Sequence, residues 1–323
     1  MAPKLLNGDR QRDVRPMRTT AIKDFAEEKG RATTTNYILK NRRADAMTAM
    51  KTVQRVLVAG GTGGTGRLAV GRLRSLGIPT RILTRDRRHA ASGGYRGVLT
   101  RQWKPTPTRD EGDADSLGLV EVVEGDALVE KDCRRAVDGC DGIICAVGRG
   151  RMRSPGPSVD DEGIINLARA ADQAGVHRFV LVSALGVGDS WKRQPLFIKA
   201  FMGWPMRQYL RDKARSEESV QASGLAWTIL RPGFLHGFRM RAEPVLTISG
   251  RVPGFCGRQA LADVAVRSLQ TENAKCQVLS IADAWCGRWL RGEPFALDVP
   301  WVPWDGQVRG WAESPVPAES QKG

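Results

Sequence analysis

The chain is poor in the residues that build metal and disulfide sites. Its 323 residues hold three histidines, His89, His177 and His236, far apart in sequence. A metal centre built on imidazole needs clustered ligands, so none is expected. The six cysteines, Cys133, Cys140, Cys145, Cys256, Cys276 and Cys286, contain no C-x-x-C pair. A disulfide framework or a zinc site needs tighter spacing, and these read as free thiols in a reducing compartment. Long apolar runs are missing too. No stretch of about 18 apolar residues exists, which excludes a transmembrane helix, and none near the N-terminus is long enough for a secretory signal. Nucleic-acid modules are also absent: there is no zinc-finger spacing, basic zipper or aromatic ribonucleoprotein motif. The net charge of +15 attracts phosphates in general. Arginine spread over a solvated surface accounts for it, and nucleic-acid binding is not expected.

What is present is an alternation. Residues 55–61, 80–85, 120–127, 142–148, 178–186 and 226–230 are short apolar runs that read as buried strands. Helical patterns at 66–76, 130–137, 160–174 and 208–223 separate most of them. Alternating strand and helix implies a doubly wound parallel sheet covered on both faces, an α/β fold. Hydrophobic content of 41% suits one large domain of this kind. The domain is expected over residues 53–282, with a surface insertion at 86–119 after the second strand, marked by Pro105 and Pro107 and read as disordered.

The flanks differ in character. Residues 1–52 are polar, without helix or strand periodicity, and read as a disordered tail, an organelle transit segment or an upstream extension. Transit segments are poor in acids, whereas Asp9, Asp13, Asp24, Glu27, Glu28 and Asp45 intrude here. Met47 or Met50 would be natural starts. Tail or extension is preferred, giving a cytoplasmic protein; a transit segment would direct it to a plastid or mitochondrion. Residues 283–323 are rich in tryptophan (Trp285, Trp289, Trp301, Trp304, Trp311) and proline. They wrap the domain or present aromatic surface to a protein partner.

The most informative stretch is "VLVAGGTGGTGRLAVGRL". An apolar strand runs into glycines and then into an apolar-striped helix. Such a helix start offers bare N–H groups and a dipole that favour a diphosphate. Glycine is needed because a Cβ would hold the phosphate away and because one position needs positive φ. Gly60, Gly63 and Gly66 fall in a G-x-x-G-x-x-G pattern at the start of a β-α-β series, which reads as a dinucleotide site. At the end of the second strand an acid selects NAD and an arginine selects NADP. The sequence there is "ILTRDRRHA", with Arg85 at the strand end and Arg88 close behind. NADP(H) is favoured; NAD(H) stays open through Asp86.

These features resemble the short-chain dehydrogenase/reductase superfamily in its atypical, NmrA-like branch. The resemblance rests on "VLVAGGTGGTG", "VEVVEGDAL", "GCDGIICAVG", "ADQAGVHRFVLVSALG", "SGLAWTILRPGFL" and "LADVA", and covers residues 53–282. It implies a Rossmann-like fold in which the cofactor lies on Gly60, Thr62, Gly63, Gly64, Thr65 and Gly66. It places Arg85 and Arg88 at a 2′-phosphate and Asp126 with Ala127 at the adenine. Ala146, Val147 and Gly148 would lie beneath the sugar, and Pro232 and Gly233 would flank the nicotinamide. Enzymes of the superfamily use a Tyr-x-x-x-Lys pair, one helical turn apart on one face. Tyr209 and Lys213 have that spacing. The lysine would lower the phenol's pKa so that it exchanges a proton with substrate, and would hold the nicotinamide ribose. Ser183 would orient the substrate. The family's fifth strand ends in two serines where this chain has Ser183-Ala184, and a missing donor of that kind is worth about 100-fold in rate.

The implied function is an NADP(H)-dependent oxidoreductase passing hydride to or from a small carbonyl, alcohol or conjugated substrate. The rival is a non-catalytic NAD(P)-binding protein that senses redox state or assists assembly of a complex.

Overall fold

A computed structural model of the chain describes residues 53–87, 119–148, 158–192, 194, 196, 199, 206–238, 240, 242–251, 254–289, 291–302 and 304. The first 52 residues, most of the 86–119 segment and the last 19 residues lie outside that set, and with them the expectations made for the tail and the insertion.

The alternation read from the sequence becomes one nine-stranded sheet. Its elements run β1 (Val56–Ala59), α1 (Gly64–Ser75), β2 (Thr80–Thr84), β3 (Val120–Glu124), α2 (Glu130–Val137), β4 (Gly142–Cys145), α3 (Ile164–Gln173) and β5 (Arg178–Val182). They continue as α4 (Arg207–Gln221), β6 (Ala226–Pro232), β7 (Phe234–His236), β8 (Val245–Arg251), β9 (Phe255–Gly257), α5 (Arg258–Ser268), β10 (Gln277–Ala282) and β11 (Arg291–Phe295). The strand order is β11-β8-β10-β6-β5-β4-β1-β2-β3, with β7 and β9 forming a separate pair. All pairings from β3 through β10 are parallel, and β8 runs antiparallel between β10 and β11. Every residue of β1, β2, β4 and β5 is buried, as expected where helices cover both faces. β3, at the edge, alternates buried and exposed positions.

Period-two geometry sorts the side chains into two cores. Val56 and Val58 point to one face with Leu68, Leu73, Leu261 and Val264 of α1 and α5. Leu57 and Ala59 point to the other with Ala136, Leu167 and Val220 of α2, α3 and α4.

Three findings depart from the sequence expectations. The helix expected at 160–174 opens with a π-helical turn, Val159–Gly163, before α3 begins. Five strands, β7 to β11, were not anticipated; β7 and β9 have three residues each, too few for an alternation to show. The sheet also runs past residue 282, since β11 pairs with β8.

The segment after β11 docks on α1 and α5 through buried arginines. Arg72 Nη2 donates to Val302 O at 3.2 Å, and its guanidinium lies 5.7 Å from the Trp304 ring. Arg267 donates to Val299 O through Nε and Nη2 at 3.0 and 2.7 Å. Between the two arginines sits Asp263, fully buried, 2.9 Å from Arg72 Nε and 3.7 Å from Arg267 Nη1. Burial raises its carboxyl pKa, and the two guanidiniums offset only part of that rise.

Removing one member of a buried ion cluster leaves an uncompensated charge and costs about 3–5 kcal/mol. Asp263→Asn should therefore lower the melting temperature by roughly 10 °C, measured by calorimetry or circular dichroism. An unchanged melt would show that the two arginines are hydrated rather than dependent on Asp263.

Candidate cofactor and active site

The glycine turn sits between β1 and β4, neighbours in the sheet from which the chain departs in opposite directions. Ligands of open α/β sheets bind at this switch point, outside the carboxyl ends of the strands. Gly60 has φ +80°, and a Cβ built there would lie 2.6 Å from Ala146 O at the end of β4. A Cβ on Gly66 would lie 2.1 Å from Gly60 O. The turn is closed by Gly63 N–H donating to Gly60 O at 2.9 Å. α1 starts at Gly64 with no side-chain cap and no acid in its first turn. A cradle that a Cβ would fill, and a helix start with uncapped N–H groups, suit a diphosphate. Thr65 and Gly66 are buried, while Gly60, Thr62, Gly63 and Gly64 are half-buried around the turn.

The adenosine end is less complete. Arg85 is exposed immediately after β2, and Arg88 lies outside the described residues. Asp86 is tied to the strand end, donating its N–H to Thr84 Oγ1 at 3.3 Å and accepting from the same hydroxyl at 3.2 Å through its carbonyl. Asp126 is drawn into the turn that starts α2: its Oδ1 accepts from Leu128 N–H at 3.0 Å, and its own N–H donates to Asp132 Oδ2 at 2.9 Å. Ala127 is buried, and its carbonyl accepts from Asn166 Nδ2 of α3 at 3.2 Å. Ala146 and Val147 are half-buried and Gly148 is exposed, all just beyond β4.

The expected catalytic residues come together differently from expectation. Lys213 is buried, and its three ammonium hydrogens have three acceptors: Asp160 Oδ1 at 3.1 Å, Val182 O at 3.2 Å and Val147 O at 3.3 Å. The ammonium therefore ties the ends of β4 and β5 to the π-helical turn. Burial works against its charge, but Tyr209, Asp160 and Cys145 outweigh it and raise its pKa. Tyr209, one helical turn earlier, is half-buried. Burial raises its phenol pKa and Asp160 adds to this, while Lys213 lowers it without prevailing. The expected lowering of the phenol is thus reversed, because burial outweighs the pull of the lysine and Asp160 adds to it.

Ser183 is also engaged. Its hydroxyl donates to Glu217 Oε1, and Glu217 is gripped by Arg231 at 3.1 Å through Nε and 2.6 Å through Nη2. Arg231 Nη1 reaches on to Asp189 Oδ1 at 2.5 Å. Pro232 and Gly233 are buried at the end of β6. A Cβ on Gly233 would stand 2.3 Å from Gly254 O, so this glycine is explained by backbone contact alone. Sequence reasoning missed Asp160, Arg231 and Asp189. A buried lysine requires an acid, but nothing in the sequence singles out Asp160, which lies 53 residues from Lys213, among the other acids. Buried thiols are inert here; burial pushes Cys145 up to about 11 and Cys133 up to about 12.

The family model described as NAD(P)H-binding matches residues 60–272. An uncharacterized chloroplastic protein of Arabidopsis thaliana is 29% identical over 253 residues, 75% of this chain and 81% of that protein. Protein TIC 62, chloroplastic, of Pisum sativum is 30% identical over 183 residues, 55% of this chain but 32% of its own length. The solved structure of ChuY from Escherichia coli O157:H7, described as an anaerobillin reductase, superposes with a TM-score of 0.53 at 25% identity, covering 71% of this chain and 97% of that one. With the family match spanning the glycine turn, the switch point and the Tyr-Lys helix, the chain belongs to the NAD(P)H-binding family.

Proposed function

We propose that the protein is an NADP(H)-dependent reductase. The observation that carries the reading is the glycine turn, where Gly60 and Gly66 leave no room for a side chain against Ala146 and Gly60 carbonyls. A bound reduced nicotinamide supplies the hydride. Gly60, Thr62, Gly63, Gly64, Thr65 and Gly66 receive the diphosphate through backbone N–H groups, and Arg85 pairs with the 2′-phosphate.

Tyr209 gives the direction. A phenol held above its ordinary value stays protonated through neutral pH, which suits a proton donor and not a base. Reduction needs one proton per hydride, and Tyr209 supplies it from its hydroxyl and recovers it from water. Lys213 is the brace under the phenol: paired with Asp160, it holds the carboxyl ends of β4 and β5 in place. Ser183, bound to Glu217, does not serve as the substrate's donor in this arrangement. ChuY, described as a reductase, lends support to the reductive direction, and the chloroplastic relatives lend support to an organelle address.

A second reading is a non-catalytic NAD(P)-binding protein that senses redox state or assists assembly. The engagement of Ser183 by Glu217 favours it, because a donor to the substrate is then missing.

Titration with NADPH and NADH should show tighter binding of NADPH, and Arg85→Ala should weaken NADPH by about 10-fold or more while leaving NADH within about twofold. Equal losses for both coenzymes would remove Arg85 from the 2′-phosphate. Tyr209→Phe should reduce kcat by about 10²–10⁴ at unchanged NADPH affinity. Turnover by the variant at the parent's rate would end the donor role, and binding without turnover in both proteins would favour the second reading. With the phenol raised, the reduction rate should show no loss of a proton donor between about pH 6 and 9 and fall only above about pH 10. A descending limb near neutrality would assign the proton to another group.

A further inference from the structure

Beyond Pro232 the chain leaves the main sheet and builds an exposed aromatic wall. Phe234 opens β7 and lies opposite Phe255 of β9 in the pairing. Their ring centroids are 6.1 Å apart. Phe255 stacks in turn on Trp285, 6.0 Å away with ring planes 25° apart. All three remain open to solvent, at 40%, 48% and 55% exposure. Three neighbouring large rings left in water are unusual on a surface unless they meet something.

The wall belongs to the active edge. β7 follows β6 directly, and Trp285 follows β10, so the rings stand beyond the carboxyl ends of these strands, the edge that carries the glycine turn. Leu185 N–H, two residues past Ser183, donates to Pro232 O at 3.0 Å. Leu185 also packs on buried Ala282 and Cys286, on either side of Trp285 in the chain. β6 lies two strands from β4, about 10 Å at ordinary strand spacing. In the proposed cofactor pose Pro232 and Gly233 flank the nicotinamide, and Phe234 follows them directly, which puts the wall on the nicotinamide side of the switch point.

Asp283 ties together the three segments that carry the rings. Its Oδ1 accepts from Gly257 N–H of β9 at 2.8 Å. Its Oδ2 accepts from Trp285 Nε1–H at 3.3 Å and from His236 Nε2–H of β7 at 2.5 Å. Its N–H donates to Phe255 O at 2.9 Å. His236 Nδ1 accepts from Phe238 N–H at 3.1 Å and Nε2 faces Asp283, so both ring nitrogens are used. His236 is thus a strut rather than an acid or base. One carboxylate fixes both short strands and the tryptophan, which is preorganisation of a binding face.

We infer that the wall of Phe234, Phe255 and Trp285 selects a planar, conjugated carbonyl acceptor, which stacks on the rings beside the nicotinamide site. The inference rests on the reductase reading above. Aromatic faces bind flat π-systems by offset stacking and discriminate against puckered aliphatic rings. The reaction is a two-electron reduction: hydride adds to the conjugated carbonyl system, Tyr209 gives the proton to its oxygen, and NADPH leaves as NADP⁺. Asp283 is a positioning residue for the wall.

The test uses menadione, a flat bicyclic quinone, against cyclohexane-1,4-dione, a puckered dicarbonyl, by calorimetric titration of the full chain with and without NADPH. Menadione should bind the parent at least tenfold more tightly than the dione. Trp285→Ala and Phe255→Ala should each weaken menadione about tenfold, while Trp285→Phe stays within about threefold and NADPH affinity is unchanged in all three. Asp283→Ala should weaken menadione similarly and alter the near-ultraviolet circular dichroism of the tryptophan. Equal menadione affinity in the parent and Trp285→Ala overturns the inference, and so does NADPH binding by a parent that ignores menadione. Failure of NADPH to bind would instead sink the reductase reading. Menadione binding that depends on Trp285 in that case would still uphold the wall.

Discussion

The ends of β1 and β4 approach so closely that Gly60 must do without a side chain. Its would-be Cβ falls against Ala146 O, and the same residue's own carbonyl excludes a Cβ at Gly66. Backbone-to-backbone contact on both sides fixes where α1 begins and how its first N–H groups point. The sheet order, the burial of β1 on both faces and the start of the helix all converge on that contact. A cradle made of main chain carries no charge of its own, so it needs the helix dipole and a neighbouring arginine to favour an anion.

Around this neutral cradle the charged residues are paired off in the interior. Lys213 with Asp160, and Glu217 with Arg231, are buried or nearly so. Buried pairs of this kind give little net stability but fix geometry where one arrangement is required. Here they pin the loops after β4 and β5, and Tyr209 stands over one of them. The same burial that surrounds these pairs raises the phenol's pKa, and the nearby ammonium offsets only part of that rise.

The half of the sheet from β1 to β6 was legible because its strands are continuous apolar runs between helices of clear periodicity. The glycine turn was legible because its chemistry is local in sequence. The remaining strands were not, since β7 and β9 span three residues each and β8 ends in charge and glycine. The site was legible in its members but not in their partners. Tyr209 and Lys213 were marked by spacing along one helix. The Asp160 and Glu217 contacts join residues distant in sequence, and a lone serine at a strand end gives no sign of which acid it will meet. The aromatic wall was hidden for a related reason. Phe234, Phe255 and Trp285 come from three separate segments, and Trp285 read only as part of a tryptophan-rich tail.

The docking of Val299 and Val302 onto the arginines of α1 and α5 also sets an order of events. Arg72 and its acceptor are 230 residues apart. In the growing polypeptide Arg72 of α1 therefore meets neither Asp263 nor the Val302 carbonyl until those residues have been made. The helix that begins at the glycine turn is thus latched near its carboxyl end by residues synthesised much later, so a nascent chain cut short before Val302 would carry the turn without that latch.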